Sequence, residues 1–111
     1  MSQSRRTIFF ISDGTGITAE MLGHSLLTQF EAIEFTQIVI PFVDSVAKAE
    51  ECIARIQSIR ANSGVRPVVF TTLVDDRIRE TLRKADALIL DFFDAFLAPL
   101  DPFCWDRDLL R

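Results

Sequence analysis

The sequence predicts an α/β fold, a three-layer doubly wound parallel sheet of four strands, and two observations lead there. Four short segments are continuously apolar and rich in Val, Ile and Phe, as strands buried on both faces of a parallel sheet are. Between them, apolar residues recur at helical spacing. Strands that alternate with helices need right-handed crossovers, which place helices on both sides of the sheet.

The first strand is read at residues 7–12 (TIFFIS). The helix after it carries Ala19, Leu22, Leu26 and Phe30 at i, i+3, i+7 and i+11, one stripe able to lie on the sheet. The second strand is residues 36–42 (TQIVIPF), and Asp44 then suits the N-cap of a helix with apolar face Val46, Ala49, Cys52, Ile53, Ile56 and Ile59. Asn62, Ser63 and Gly64 stop that helix, and Lys48, Glu51 and Arg55 form its solvated side. Residues 67–73 (PVVFTTL) make the third strand, Asp75 caps a helix carrying Ile78 and Leu82, and residues 87–91 (ALILD) make the fourth strand. A last helix begins over residues 92–97 and ends before Pro99. The expected strand order is 2-1-3-4, as in flavodoxin-like and Rossmann-like folds, because the first connection must run opposite to the later ones for both faces to be covered.

At 111 residues the chain fits one α/β domain over residues 1–100, with residues 101–111 (DPFCWDRDLLR) read as a linker or divergent tail. Basic residues are scattered within a net charge of -4, which argues against nucleic acid as a partner. No apolar run approaches a membrane span or a signal-peptide core, so the expected location is cytoplasmic. Cys52 and Cys104 lack CxxC spacing or histidine neighbours in sequence; reduced thiols are expected, and no metal site.

The stretch FFISDGTGITAE, residues 9–20, joins the first strand to the first helix through a turn of glycines and hydroxyls. In a doubly wound sheet this junction lies at the carboxyl edge, where phosphates bind at helix amino ends. The candidate ligand-binding residues are Ser12, Asp13, Gly14, Thr15, Gly16 and Thr18: the glycines permit positive φ or close approach, and the hydroxyls can bond phosphate oxygens. Residues 14–19 also match the dinucleotide pattern GxGxxG/A, although the Asp13 carboxylate would repel a pyrophosphate. A third reading gives the turn a structural task alone, with Asp13 or Thr15 capping the helix.

His24 is the only histidine, and it shares a second, partly apolar helix face with Ile17, Met21 and Thr28. A helix lying on a sheet needs one apolar stripe, so Ile17, Met21 and His24 are read as an interface. The paired Asp75 and Asp76 are explained by capping before metal binding. A homodimer is expected, through this face or through an apolar end around Phe93, Phe96, Leu97, Leu100, Phe103 and Trp105. The chain contains no GxxxxGK[ST] motif for a P-loop.

Together, FFISDGTGITAEMLGHSLLTQF, IPFVDSVAKAEECIARI, GVRPVVFTTLVDDRIRE and FLAPL resemble the amino-terminal part of the phosphoenolpyruvate synthetase regulatory protein family, which includes the pyruvate, phosphate dikinase regulatory proteins. The likeness runs from about Arg6 to Leu100. It implies a bifunctional enzyme: an ADP-dependent serine/threonine kinase that inactivates its target, and a phosphate-dependent pyrophosphorylase that reactivates it. It implies ADP and phosphate as cofactors of the full-length protein, and phosphoenolpyruvate synthetase or pyruvate, phosphate dikinase as partner. The family's P-loop lies in a later C-terminal domain, so none of its residues carries over. This chain is therefore expected to bind no cofactor and to be inactive alone. The motif residues that do carry over are Ser12, Asp13, Gly14, Thr15, Gly16, Thr18, Glu20 and His24, with no assigned chemical step. The alternative reading is a stand-alone flavodoxin-like module for a small phosphorylated ligand.

Overall fold

In the computed structural model, which describes residues 6–30 and 34–92, each apolar run becomes a strand. The order is β1 (Arg6–Ile11), α1 (Ile17–Leu27), β2 (Phe35–Ile40), α2 (Val46–Ser63), β3 (Val68–Thr71), α3 (Asp76–Leu82) and β4 (Leu88–Asp91). All strand pairs are parallel and the sheet order is β2-β1-β3-β4, as the sequence predicts. β1 is central, and its Ile8, Phe9, Phe10 and Ile11 are fully buried because both faces are covered.

Alternation along the strands sorts the core into two layers. Phe9, Ile11 and Val69 pack with Ala49, Cys52 and Ile56 of α2 and with Ile78 and Leu82 of α3. On the opposite face Ile8, Phe10, Val68 and Phe70 pack with Ala19 of α1 and with Phe92. α1 thus lies on one side, α2 and α3 on the other, as the reversed first crossover requires.

The apolar stripe proposed for α1 is corrected by the structure. Ala19 is buried, but Leu22, Leu26 and Phe30 are 42%, 48% and 54% exposed. The helix instead rests on the sheet through Ala19, Gly23 and the partly buried Leu27. The reason is steric: a Cβ at residue 23 would overlap the Phe10 ring, so the helix comes close only where it carries no side chain.

The cap of α2 is also corrected. Ser45, not Asp44, is the N-cap, its hydroxyl accepting from Lys48 N at 3.2 Å. Asp44, one residue earlier, forms an ion pair with Lys48 at 3.0 Å. Gly64 ends α2 in the left-handed conformation (φ 75°), as its place after Asn62 and Ser63 suggests. Asp75 caps α3 as expected, accepting from Arg77 N and Ile78 N at 2.9 and 3.2 Å. The fourth helix beyond Phe92, the C-terminal aromatic cluster and Cys104 lie outside the described residues.

Candidate functional site

β1 ends at Ile11, and the next residues are tied to the loops on both sides. Ser12 N donates to Ile40 O, Val43 N to Ser12 O, and Phe42 N to Gly14 O, at 3.2, 2.9 and 2.8 Å. On the other flank Thr72 N donates to Ile11 O at 3.2 Å, and Val74 N to Oδ2 of Asp13 at 3.2 Å. The turn therefore sits at the carboxyl edge, between the segments that follow β2 and β3.

Asp13 caps the loop after β3 and not α1. Gly16 is the N-cap of α1, held at φ 87°, and being a glycine it makes no side-chain cap bond. A Cβ there would lie 3.0 Å from Cγ1 of Val39, a tight contact, and the positive φ is what favours glycine. Thr15 Oγ1 accepts a long bond of 3.4 Å from Ile17 N, and Glu20 N closes the first helical bond onto Gly16 O at 2.9 Å. The first N–H groups of any α-helix lack partners within it. Ser45 and Asp75 supply them at α2 and α3, whereas the N-cap of α1 is a glycine without a side chain and Thr15 offers its first amide only the long bond.

Gly14 differs from Gly16. Its φ is not positive, and the nearest atom to an added Cβ is Ser12 Oγ, 3.9 Å away. Gly14 N donates to that hydroxyl at 3.0 Å. Neither strain nor crowding explains a glycine at 14. Ser12 is buried, whereas Asp13, Thr15 and Thr18 are exposed. The structure thus brings all six candidate residues to one turn.

Phe42 was not singled out by the sequence. Among the described residues it is the only non-glycine with positive φ, at 59°, and its ring is largely exposed. Such a conformation is uncommon for a bulky side chain. Its N–H is held by Gly14 O and its carbonyl by Lys48 Nζ at 3.3 Å, so the strain sits beside the turn and a cation is brought there. Only an unusual local pattern, Pro41-Phe42 after a strand, hinted at it.

His24 reaches across to the sheet. Its Nε2 lies 2.6 Å from Gln37 Oε1 on β2, and its ring stacks on Phe10 with centroids 6.2 Å apart. Ile17 and Met21 on the same face are 58% and 65% exposed. The carboxylates of the edge are engaged: Asp76 and Asp91 pair with Arg79 at 3.1 and 3.0 Å, and Asp44 pairs with Lys48. Lys48 holds the Asp44 carboxyl below its ordinary pKa, by hydrogen bond first and charge second. Burial pushes the Cys52 thiol up. Among the described residues no group of three or more His, Cys, Asp or Glu could hold a metal ion, and no helix is long and apolar enough to cross a membrane.

A family model described as kinase/pyrophosphorylase matches residues 8–107. A relative from Alkalilimnicola ehrlichii is 52% identical over 101 residues, covering 91% of this chain and 36% of its own length. One from Azoarcus sp. is 56% identical over 96 residues, covering 86% and 35% respectively. Both are named, provisionally, phosphoenolpyruvate synthase regulatory proteins. The chain spans about a third of the length of these curated relatives.

Proposed function

The chain belongs to the kinase/pyrophosphorylase family, and from that premise we propose that it is the amino-terminal part of a cytoplasmic regulatory protein of phosphoenolpyruvate synthase. In this reading the whole protein transfers a phosphoryl group from ADP to a threonine of its target. It removes that group with inorganic phosphate, releasing pyrophosphate. Pyruvate, phosphate dikinase is the alternative target. The P-loop that holds the nucleotide belongs to the remainder of the protein, so these residues by themselves transfer no phosphoryl group.

The task proposed for this part is to receive phosphoryl oxygens at the turn of Ser12, Asp13, Gly14, Thr15, Gly16 and Thr18. One observation carries it: the N-cap of α1 is a glycine with no side-chain cap bond, Thr15 reaching only the Ile17 amide at 3.4 Å, and it stands behind a glycine at 14 that the fold does not itself require. A phosphate there would meet backbone N–H groups and the positive end of the helix. Thr15 and Thr18 would add hydroxyl donors. The Asp13 carboxylate is turned to the Val74 amide on the far flank of the turn. The exposed Ile17 and Met21 face is proposed as the contact of a homodimer.

Amide-resolved NMR of the chain, titrated with inorganic phosphate and then pyrophosphate, tests the turn. Saturable shifts confined to residues 14–19 and lost in Thr18→Val are expected. Uniform or absent shifts rule the turn out as a phosphoryl site. Sedimentation equilibrium tests the dimer, and a mass equal to one chain at all concentrations excludes it.

A further inference from the structure

Parallel sheets are covered on both faces, because crossover connections lay helices on each. Here α2 and α3 share one face, and α1 on the other packs against β1 and β3. β4 lies beyond β3, with Leu88 in register with Val68 and Leu90 with Phe70. Both leucines therefore share the α1 side with those core residues. Leu88 and Leu90 are 44% and 38% exposed, while Ile89, on the opposite side, packs against the core. With Leu26 of α1 and Phe30 just after it, 48% and 54% exposed, they line a groove of about 440 Å³. Among the described residues Arg6 is the one charged member of that lining.

Three observations choose the occupant. A surface that meets its partner only transiently stays about as polar as the rest of the protein, whereas a permanent interface resembles a core cut in two. The lining is of the second kind, so its cover is a lasting one. The Alkalilimnicola and Azoarcus relatives match this chain over 36% and 35% of their own lengths, so the greater part of such a protein lies outside the match. Phe92, directly after β4, is buried and stacks on Phe70 with centroids 5.4 Å apart, so the last described residue lies on this same face. A partner tethered beyond it meets the groove at high effective concentration.

We propose that this groove seats the carboxyl-terminal part of the family protein, an apolar surface of which packs on Leu88, Leu90, Leu26 and Phe30 and covers the bare end of the sheet. The proposal rests on the reading of this chain as the amino-terminal part of a longer regulatory protein, and not on the phosphoryl reading of the turn. The test uses the full-length Azoarcus relative and the 111-residue chain. In each, the photo-crosslinking residue p-benzoylphenylalanine replaces Leu88 or its counterpart, and in a second variant Leu90 or its counterpart, so that one position can fail to tolerate it. Irradiation of the relative, followed by peptide mass spectrometry, should give intramolecular cross-links from both positions to its unmatched carboxyl-terminal part. Covalent dimers, in the relative or in the 111-residue chain, assign the groove to a second copy and overturn the proposal. Cross-links confined to the matched region, or none, overturn it as well. ADP-dependent phosphorylation of phosphoenolpyruvate synthase by the unmodified relative is measured alongside. Activity with cross-links elsewhere sinks the groove alone, whereas absence of activity counts against the regulatory reading.

Discussion

Gly23 lies against the ring of Phe10 so closely that a single added carbon would overlap it. This contact sets the distance of α1 from the sheet, because Phe10 is fully buried and stacks on Phe70 at 5.7 Å, leaving the ring nowhere to swing. Alanine at 23 would favour an isolated helix by about 1 kcal/mol, but overpacking a buried contact costs about 1–3 kcal/mol. Gly23→Ala is therefore expected to destabilise the fold by about 1 kcal/mol in urea unfolding. Adding Phe10→Leu should recover part of that loss, as coupled neighbours do.

Two of the three aspartates that sequence reasoning offered as caps, Asp75 and Asp13, should separate by stability. Asp75 satisfies two amides at the start of α3, so Asp75→Ala should cost about 1 kcal/mol. Asp13 accepts one bond from an exposed loop amide, and Asp13→Ala should cost about 0.5 kcal/mol. Thermal unfolding of the two variants compares them directly; an equal or greater loss at Asp13 would contradict the geometry.

Arg79 and Asp91 form an ion pair whose side chains are 9% and 11% exposed. Removing one partner of a buried pair leaves the other charge poorly solvated, so Asp91→Leu should cost about 3 kcal/mol. Replacing both by leucine should cost less than that single change. Denaturant midpoints of the two variants decide it.

Two titrations act in opposite directions. Lys48 lowers the Asp44 pKa in the folded chain, so the stabilisation is present above the ordinary value of 3.8 and is lost as pH falls through the lower folded value. Lys48→Met should flatten that acid dependence slightly, since the pair is exposed. Burial raises the Cys52 pKa, so its thiol form is compatible with the fold below the ordinary 9.0 and stability falls as pH rises through the folded value. Native Cys52 should resist alkylation at pH 8, and urea should release it, as mass spectrometry of the labelled peptide will report.

The strand layout was legible because burial on both faces writes an uninterrupted apolar run, as in TIFFIS and PVVF. The α2 face was legible for a similar reason, being lined by large aliphatic side chains. α1 was misread beyond Ala19 because its close contact with β1 is made by Gly23, a residue that a search for apolar side chains passes over. Asp44 and Ser45 are neighbouring cap residues of equal aptitude, and only backbone geometry selects Ser45. In the turn, residue types located the site but not the bonding. That Asp13 reaches Val74, and that Phe42 takes a left-handed conformation, depend on loops brought together across the sheet.

The central place of β1 has a consequence for how the chain is made. Ile8 must find Gln37 on one side and Val68 on the other, and among the described residues no strand pair is a hairpin. Of the four described strands, synthesis therefore releases the central one first and its second neighbour long afterwards. Until then Ile8, Phe9 and Phe10 have an open backbone edge, a template for pairing with other nascent chains. The same parallel order makes every strand contact distant in sequence, which slows spontaneous folding. The unpaired edge of β1 is thus exposed early in synthesis, while β3 is still being translated.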